Sequence, residues 1–311
     1  MAFLTEPEPA RGVALDVLPG IRRVVARNPS VMTYHGTNTY LLDREDGLTV
    51  IDPGPDDEAH VADVVRAAGG RPITRIVVTH AHEDHHGAVK KLQAATQAPS
   101  WGYQTSGAKW EFCAQHGLKD GDVVAGLQAV FTPGHAQDHL SFAYQVPDIG
   151  QILFSGDHVM AWSSSIVNPP EGDMRAYYNS LEKLLPRPDQ IYLPAHGPMA
   201  RDPKTLVAAL LQHRQTREAS ILTALAQGPL SVKEIAAALY AKTDESLKFA
   251  AERNVLAHLL KLQDEGRAVA LDAAPTQRFS DFRMTTDDRE LLTAAYIEMA
   301  SAEAQRRFQL T

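Results

Sequence analysis

The stretch Thr79-His80-Ala81-His82-Glu83-Asp84-His85-His86-Gly87 gathers several metal-ligand side chain types into one short turn. Histidine and carboxylate are the usual zinc ligands where no thiolate is at hand. His80, His82, Asp84 and His85 are four candidate ligands within six residues, which suggests two ions rather than one. His80 and His82 would serve one ion; Asp84 and His85 would serve the other. An ordinary polar turn rarely stacks histidine in this way at the end of an apolar strand. His86 begins the following helix and is expected to point away from the ions or to cap that helix.

These side chains need elements that aim them into one small volume. Residues 73–78 are a short β-branched run that reads as a buried strand. Residues 88–95 read as a helix. The same arrangement recurs downstream. Phe131-Thr132-Pro133-Gly134-His135, Phe154-Ser155-Gly156-Asp157-His158 and Leu193-Pro194-Ala195-His196-Gly197 each run from an apolar strand through small residues to a ligand-type side chain. Small residues let backbone and metal approach closely. Any one of these alone reads as a loop histidine or aspartate. With the first motif they form a set of seven: His80, His82, Asp84, His85, His135, Asp157 and His196.

The rest of the chain reads as alternating strands and helices. Paired strands are expected at 13–17 with 21–25, across Pro19-Gly20, and at 39–42 with 48–51, across Glu45-Asp46-Gly47. Residues 56–68 read as a helix with Asp56 as cap. Strands follow at 123–131, 140–146, 151–154 and 190–193, with a helix at 173–185. An α/β layered domain is implied. After Pro203 the pattern becomes helical. A helix at 205–226 precedes a Ser231-x-x-Glu234 capping box and a short helix at 235–239. A further helix covers 245–262, two short strands 267–271 and 278–284, and a closing helix 287–308. Three helices and a β-ribbon describe a winged helix-turn-helix. The expected domains are 1–203 and 204–311.

The chain has 311 residues, the composition of an ordinary globular protein and a formal charge of −8. That charge gives no general pull toward nucleic acid or acidic lipid. The only cysteine is Cys113, so no intramolecular disulfide can form, and Cys113 is expected to be a small buried apolar residue. The N-terminal stretch lacks a basic region followed by a long apolar core, and no apolar run would span a bilayer. A cytoplasmic enzyme is the expectation.

The four-part pattern His80-Ala81-His82-Glu83-Asp84-His85, His135, Asp157 and His196 resembles the metallo-β-lactamase superfamily over roughly residues 13–200. The resemblance implies an αββα sandwich with a two-metal site at one edge. By that analogy His80, His82 and His135 hold the first ion, Asp84, His85 and His196 hold the second, and Asp157 bridges them. Asp52 matches an aspartate that supports the ligands in the family, and also reads as a simple turn residue. Some antibiotic-hydrolysing members carry cysteine where this chain has Asp157, which points toward glyoxalase-II-like, lactonase-like and nuclease-like branches. Asp138 and His139 are read as hydrogen-bonding groups rather than ligands. His213-Arg214, Arg217-Glu218, Ile221-Leu222, residues 256–262 and Glu265-Gly266-Arg267 look like the winged-helix tail of the β-lactamase-like-protein-2 group, whose animal relatives include a single-strand-specific endoribonuclease.

Two zinc ions about 3.5–4 Å apart can share a hydroxide and lower its pKa toward neutrality. That bridging hydroxide would attack an ester, thioester, lactone or lactam-type small acyl substrate. Iron or manganese could occupy the same ligands. Asp84 would orient the nucleophile or carry a proton to the leaving group, or act as a ligand only. Residues 162–170, with Trp162, are either a binding loop at the site mouth or an ordinary surface loop; Asn38 and Tyr192 are further candidates. Cleavage of single-stranded RNA is the alternative activity. Between 231 and 267 six basic residues face six acidic ones, so the tail lacks the basic footprint of a nucleic-acid binder. The apolar stripe Leu291, Leu292, Ala295, Tyr296 and Met299 could dock within the chain or build a homodimer.

Overall fold

The computed structural model describes residues 3–104, 112–242, 244–271 and 299–311. The chain divides into two compact units. The first comprises 1–133, 138–165 and 183–207, the second 134–137, 166–182 and 208–311.

The first unit is built on two sheets. Strands β1 (Leu15–Leu18), β2 (Ile21–Val25), β3 (Asn38–Arg44), β4 (Gly47–Ile51), β5 (Ile73–Val77), β6 (Ser100–Tyr103) and β7 (His116–Leu118) lie side by side in chain order. The β1–β4 meander is antiparallel, and β4 to β7 run parallel. The second sheet has the order β12-β11-β10-β9-β8, from β8 (Val123–Val124), β9 (Leu127–Phe131), β10 (Leu140–Val146), β11 (Gly150–Gly156) and β12 (Ile191–Pro194). Strand β12 is parallel to β11, and β9 runs the same way, being two antiparallel steps from β11. The C-terminal ends of β9, β11 and β12 therefore share one edge.

Side-chain alternation assigns the two faces. Tyr40, Leu42, Ile51 and Val77 of the first sheet pack with Phe142, Phe154, Ile152 and Leu193 of the second. Leu41, Val50, Ile76 and Val78 point the other way, against α1 (Glu58–Ala67) and α3 (Val89–Thr96). Helix, sheet and sheet are thus stacked, with apolar cores in both gaps. Asp57 rather than Asp56 caps α1, accepting from Ala59 N at 2.9 Å. Cys113 is exposed rather than buried. The run 123–131 is two strands, because Ala125 (φ +51°) and Gly126 (φ +78°) form a tight turn inside it.

The second unit contains α4 (Met174–Leu184) up to residue 182 and α5 (Pro203–Leu225) from residue 208, followed by β13 (Leu230–Ser231), α6 (Val232–Leu239), α7 (Lys248–Asp264), β14 (Ala268–Ala270) and β15 (Arg307–Leu310). The Ser231–Glu234 capping box is formed in both directions. Ile221, Ile235, Val255, Leu259 and Phe308 share an apolar core. Three helices and a small sheet of order β13-β15-β14 make a winged helix. The closing helix does not reach residue 308 as expected; residues 299–304 are helical and 307–310 form the central strand. Arg307-Phe308-Gln309-Leu310 alternates polar and apolar with period two, and Phe308 is fully buried. The expected strand 278–284 and most of the stripe 291–299 lie outside the described residues. Among the described residues no helix is long and apolar enough to cross a membrane.

Candidate metal centre

Strand ends deliver the candidate ligands of the first unit to one place. After β5 the chain passes Thr79, His80 and His82 and enters a single helical turn, α2 (Glu83–His86), which carries Asp84 and His85. Leu140 N donates to Thr79 O at 2.8 Å, tying the end of β5 to the start of β10 in the other sheet. Asp157 follows β11 through Gly156, whose φ is +52°; a Cβ there would stand 2.4 Å from His139 Nε2. His196 follows β12 and is held by the strap 36–38. Asn38 N donates to Ala195 O at 2.7 Å, and Asn38 Nδ2 donates to the carbonyls of Pro194 and Gly197 at 3.0 and 2.9 Å. Tyr40 Oη adds a bond of 2.8 Å to Pro194 O.

The ligand atoms have the spacing of a shared ion. His196 Nε2 lies 3.2 Å from Asp84 Oδ2 and 3.4 Å from Asp157 Oδ1. His85 Nε2 lies 3.5 Å from Asp84 Oδ2 and 3.6 Å from Asp157 Oδ2. Ligands on one tetrahedral ion with bonds of about 2.0–2.1 Å stand roughly 3.3–3.4 Å apart, close to all four distances. His85 Nε2 is buried and makes no hydrogen bond among the described residues. A buried lone pair facing two carboxylates fits a cation better than it fits a core. His80 Nε2 and His82 Nδ1 face each other at 2.8 Å. Asp84, His85 and His196 form one potential ligand group, and His80, His85 and Asp157 a second that shares His85.

Without a cation the cluster polarises itself. Burial alone would raise Asp84 and Asp157, but the charges of His85 and His196 hold both carboxyls well below the usual range. Burial alone would lower the two imidazoles. The carboxylates reverse this, raising His85 above the ordinary imidazole value and pushing His196 up to about 9. Two imidazoles that hold protons this tightly between two carboxylates mark a place that a divalent cation can take over.

Supporting hydrogen bonds orient the rings. Asp52 Oδ1 accepts from Thr79 N at 2.8 Å; Asp52 Oδ2 accepts from Thr79 Oγ1 at 2.8 Å and pairs with His85 Nδ1 at 2.9 Å. With Nδ1 so engaged, His85 presents Nε2 to the cluster. Asp138 Oδ2 accepts from Ala81 N at 2.8 Å, and His139 Nε2 accepts from Asp157 N at 3.1 Å. Both are hydrogen-bonding supports, as the sequence suggested. His86 points elsewhere, stacking on Phe112 with ring centroids 5.0 Å apart.

His135 sits on the turn 134–137, at the end of β9, and this turn belongs to the second unit. Its closure is local, with Thr132 N donating to His139 O at 3.0 Å. Trp162 is half-buried. It stacks on Tyr34 at 5.0 Å and lies against Gly197, where a Cβ would meet its Cδ1 at 2.5 Å. Tyr192 is buried within β12. Thr79 and Tyr34 were missed by sequence reasoning; a hydroxyl after a strand and a loop tyrosine carry no signal of their own.

Comparison with known proteins agrees with this construction. Residues 32–196 match the Metallo-beta-lactamase superfamily, and residues 231–275 match the Beta-lactamase associated winged helix domain. A Beta-lactamase-like protein 2 homolog of Drosophila melanogaster is 32% identical over 267 residues, covering 79% of this chain and 88% of that protein. An atrochrysone carboxyl ACP thioesterase of Aspergillus chevalieri is 31% identical over 273 residues, covering 82% of this chain and 84% of that protein. The crystal structure of a beta-lactamase domain protein from Burkholderia ambifaria superposes with a TM-score of 0.75 at 23% identity, covering 97% of this chain and 95% of that one, a likeness of fold. The chain belongs to the metallo-beta-lactamase superfamily, a superfamily of hydrolytic enzymes, and carries the winged-helix domain associated with it.

Proposed function

We propose that this chain is a two-zinc hydrolase of a small acyl compound, with a thioester as the first substrate class to test. The observation that carries the reading is the set of four distances, 3.2 to 3.6 Å, between His85 or His196 and the carboxylates of Asp84 and Asp157. His80, His82 and His135 would hold the first ion, Asp84, His85 and His196 would hold the second, and Asp157 would serve both. Iron or manganese would suit the same ligands. Bound divalent ions supply Lewis acidity and an acidified water at neutral pH.

The chain's own residues do the rest. Hydrolysis adds a water oxygen to the acyl carbon, breaks the bond to sulfur or oxygen, and returns a proton to the leaving group. Asp84 is the exposed member of its group: its side chain is 28% accessible, against 10% for Asp157, 1% for His196 and 0% for His85. It is therefore the carboxylate a substrate can reach. Its depressed pKa keeps it ionised, the form in which it binds a cation. The relative named a thioesterase supports the acyl class. The even balance of charge over residues 231–267 argues against a nucleic-acid footprint.

The test is a metal-loaded panel of thioesters, lactones and labelled single-stranded RNA, run beside Asp84→Ala, with metal content measured for both. Acyl hydrolysis that falls at least ~100-fold in the variant is expected. Retention of both ions would make Asp84 a proton carrier; loss of one would make it a ligand first. RNA cleavage that disappears in the variant, with no acyl hydrolysis, would replace this reading with an endoribonuclease. A folded chain that takes up no metal would overturn it.

A further inference from the structure

The turn that bears His135 is fastened by the helical unit to which it belongs. Gly134 has φ +140°, and a Cβ there would fall 2.4 Å from the Cα of Tyr177 on α4. Asp173 N donates to Gly134 O at 2.9 Å. His135 Nδ1 lies 2.7 Å from the carbonyl oxygen of Ile166. An imidazole that donates through Nδ1 presents Nε2 as its lone-pair nitrogen. Gln137 Nε2 donates to Pro170 O at 3.2 Å. The segment 166–173 thus fixes both the backbone and the ring direction of the His135 turn.

That segment is in turn gripped by two adjacent residues of α7. The buried guanidinium of Arg253 donates through Nε to Asn168 Oδ1 at 2.7 Å, through Nη2 to Pro169 O, and through Nη1 to Glu303 Oε2 at 2.7 Å. Asn254 Oδ1 accepts from Val167 N at 3.4 Å and from Arg214 Nη1 at 3.0 Å. Gly172 N donates to Asn168 O at 2.7 Å and closes the loop on itself. Three consecutive residues next to Ile166 are therefore held from the winged helix. A buried guanidinium is costly unless its donors are used, and here Nε and Nη2 are used on the loop while Nη1 is used on Glu303.

We propose that Arg253 and Asn254 are positioning residues for His135, and so for the metal ion that His135 would hold. The inference rests on the reading of His135 as a ligand of that ion.

The experiment uses the full chain and measures zinc by chelator competition, cobalt substitution by visible absorption, and melting of the metal-free protein. The variants are Asn254→Ala, Asn254→Asp, Arg253→Lys and, as reference, His135→Ala. Asn254→Ala should weaken one of the two ions by roughly 10–100-fold and alter the cobalt spectrum. Asn254→Asp, which keeps the acceptor, should restore both. Arg253→Lys should follow Asn254→Ala. Metal-free melting should change little in Asn254→Ala, because Asn254 is only half-buried. Loss of affinity at both ions alike, or loss that tracks a lower melting temperature of the metal-free chain, would reduce Arg253 and Asn254 to structural residues. Full affinity in the Asn254 and Arg253 variants with one ion lost in His135→Ala would overturn this inference alone. Full affinity in His135→Ala would overturn the ligand reading beneath it.

Discussion

Asp52 uses both carboxylate oxygens on the residues of the metal motif. One oxygen holds the backbone of Thr79; the other holds the Thr79 hydroxyl and His85 Nδ1. It occupies the left-handed region at φ +49°, between the end of β4 and Pro53-Gly54. Replacing it with alanine removes three hydrogen bonds and frees the His85 ring to rotate. Asp52→Ala should bind the second ion roughly 10–100-fold more weakly, read by chelator competition. Affinity equal to the parent's would show that α2 alone fixes His85. The seven candidate ligands were legible because histidine and aspartate declare their chemistry by type. Thr79 was not, since a hydroxyl is equally at home at any strand end. The partners of Trp162, Tyr34 and Gly197, are remote in sequence, so its environment could not be read from the loop 162–170 alone.

Strands with continuous apolar runs were visible in the sequence for the same reason they are buried on both faces. Strands β6 and β7 were not: Ser100-Trp101-Gly102-Tyr103 and His116-Gly117-Leu118 lack an apolar run and pair in parallel, so only their neighbours define them. Strand β15 was hidden at the end of a helical pattern, and its register with β13 and β14 is set by the pairs Leu230↔Phe308 and Ala270↔Phe308. The capping box of α6, a purely local signal, was read correctly. Two substitutions weigh these elements. Ser231→Ala should cost about 1 kcal/mol, since one orphan N–H at the helix start loses its acceptor. Phe308→Ala should cost about 3–5 kcal/mol, because a fully buried ring is removed from the centre of a three-stranded sheet. Denaturant unfolding followed by circular dichroism measures both. Equal costs would mean that β15 contributes little to the winged-helix core.

Across the whole chain, each compact unit has an apolar core of its own, and each also buries charge away from its core. In the second unit Glu218 receives Lys261 Nζ at 2.8 Å and Arg267 Nη1 at 3.1 Å, with His258 Nδ1 3.5 Å away. Burial alone would raise the Glu218 carboxyl. Its neighbours, His258 and Lys261 foremost, bring it down to about 2 from an ordinary 4.5. A carboxyl with a lowered folded-state pKa stabilises fully above its unfolded value and loses that contribution as pH falls through the folded one. The loss from Glu218 therefore falls between about 4.5 and 2. His258 is driven mainly by burial down to about 4, so the unfolded chain takes up its proton first and stability also declines from 6.5 toward 4. Glu218→Gln removes the lower of these two acid limbs and leaves Lys261 with Glu265, 2.8 Å away, as its remaining carboxylate. The variant should be less stable at pH 7 by roughly 1–2 kcal/mol, the shift being screened by solvent at a half-buried group, and that gap should close as pH falls from 4.5 to 2. Urea midpoints of parent and variant at pH 7, 4.5 and 2.5 measure the gap. A gap that stayed constant across the three pH values would show that the cluster contributes through packing, with no part played by the ionised carboxylate.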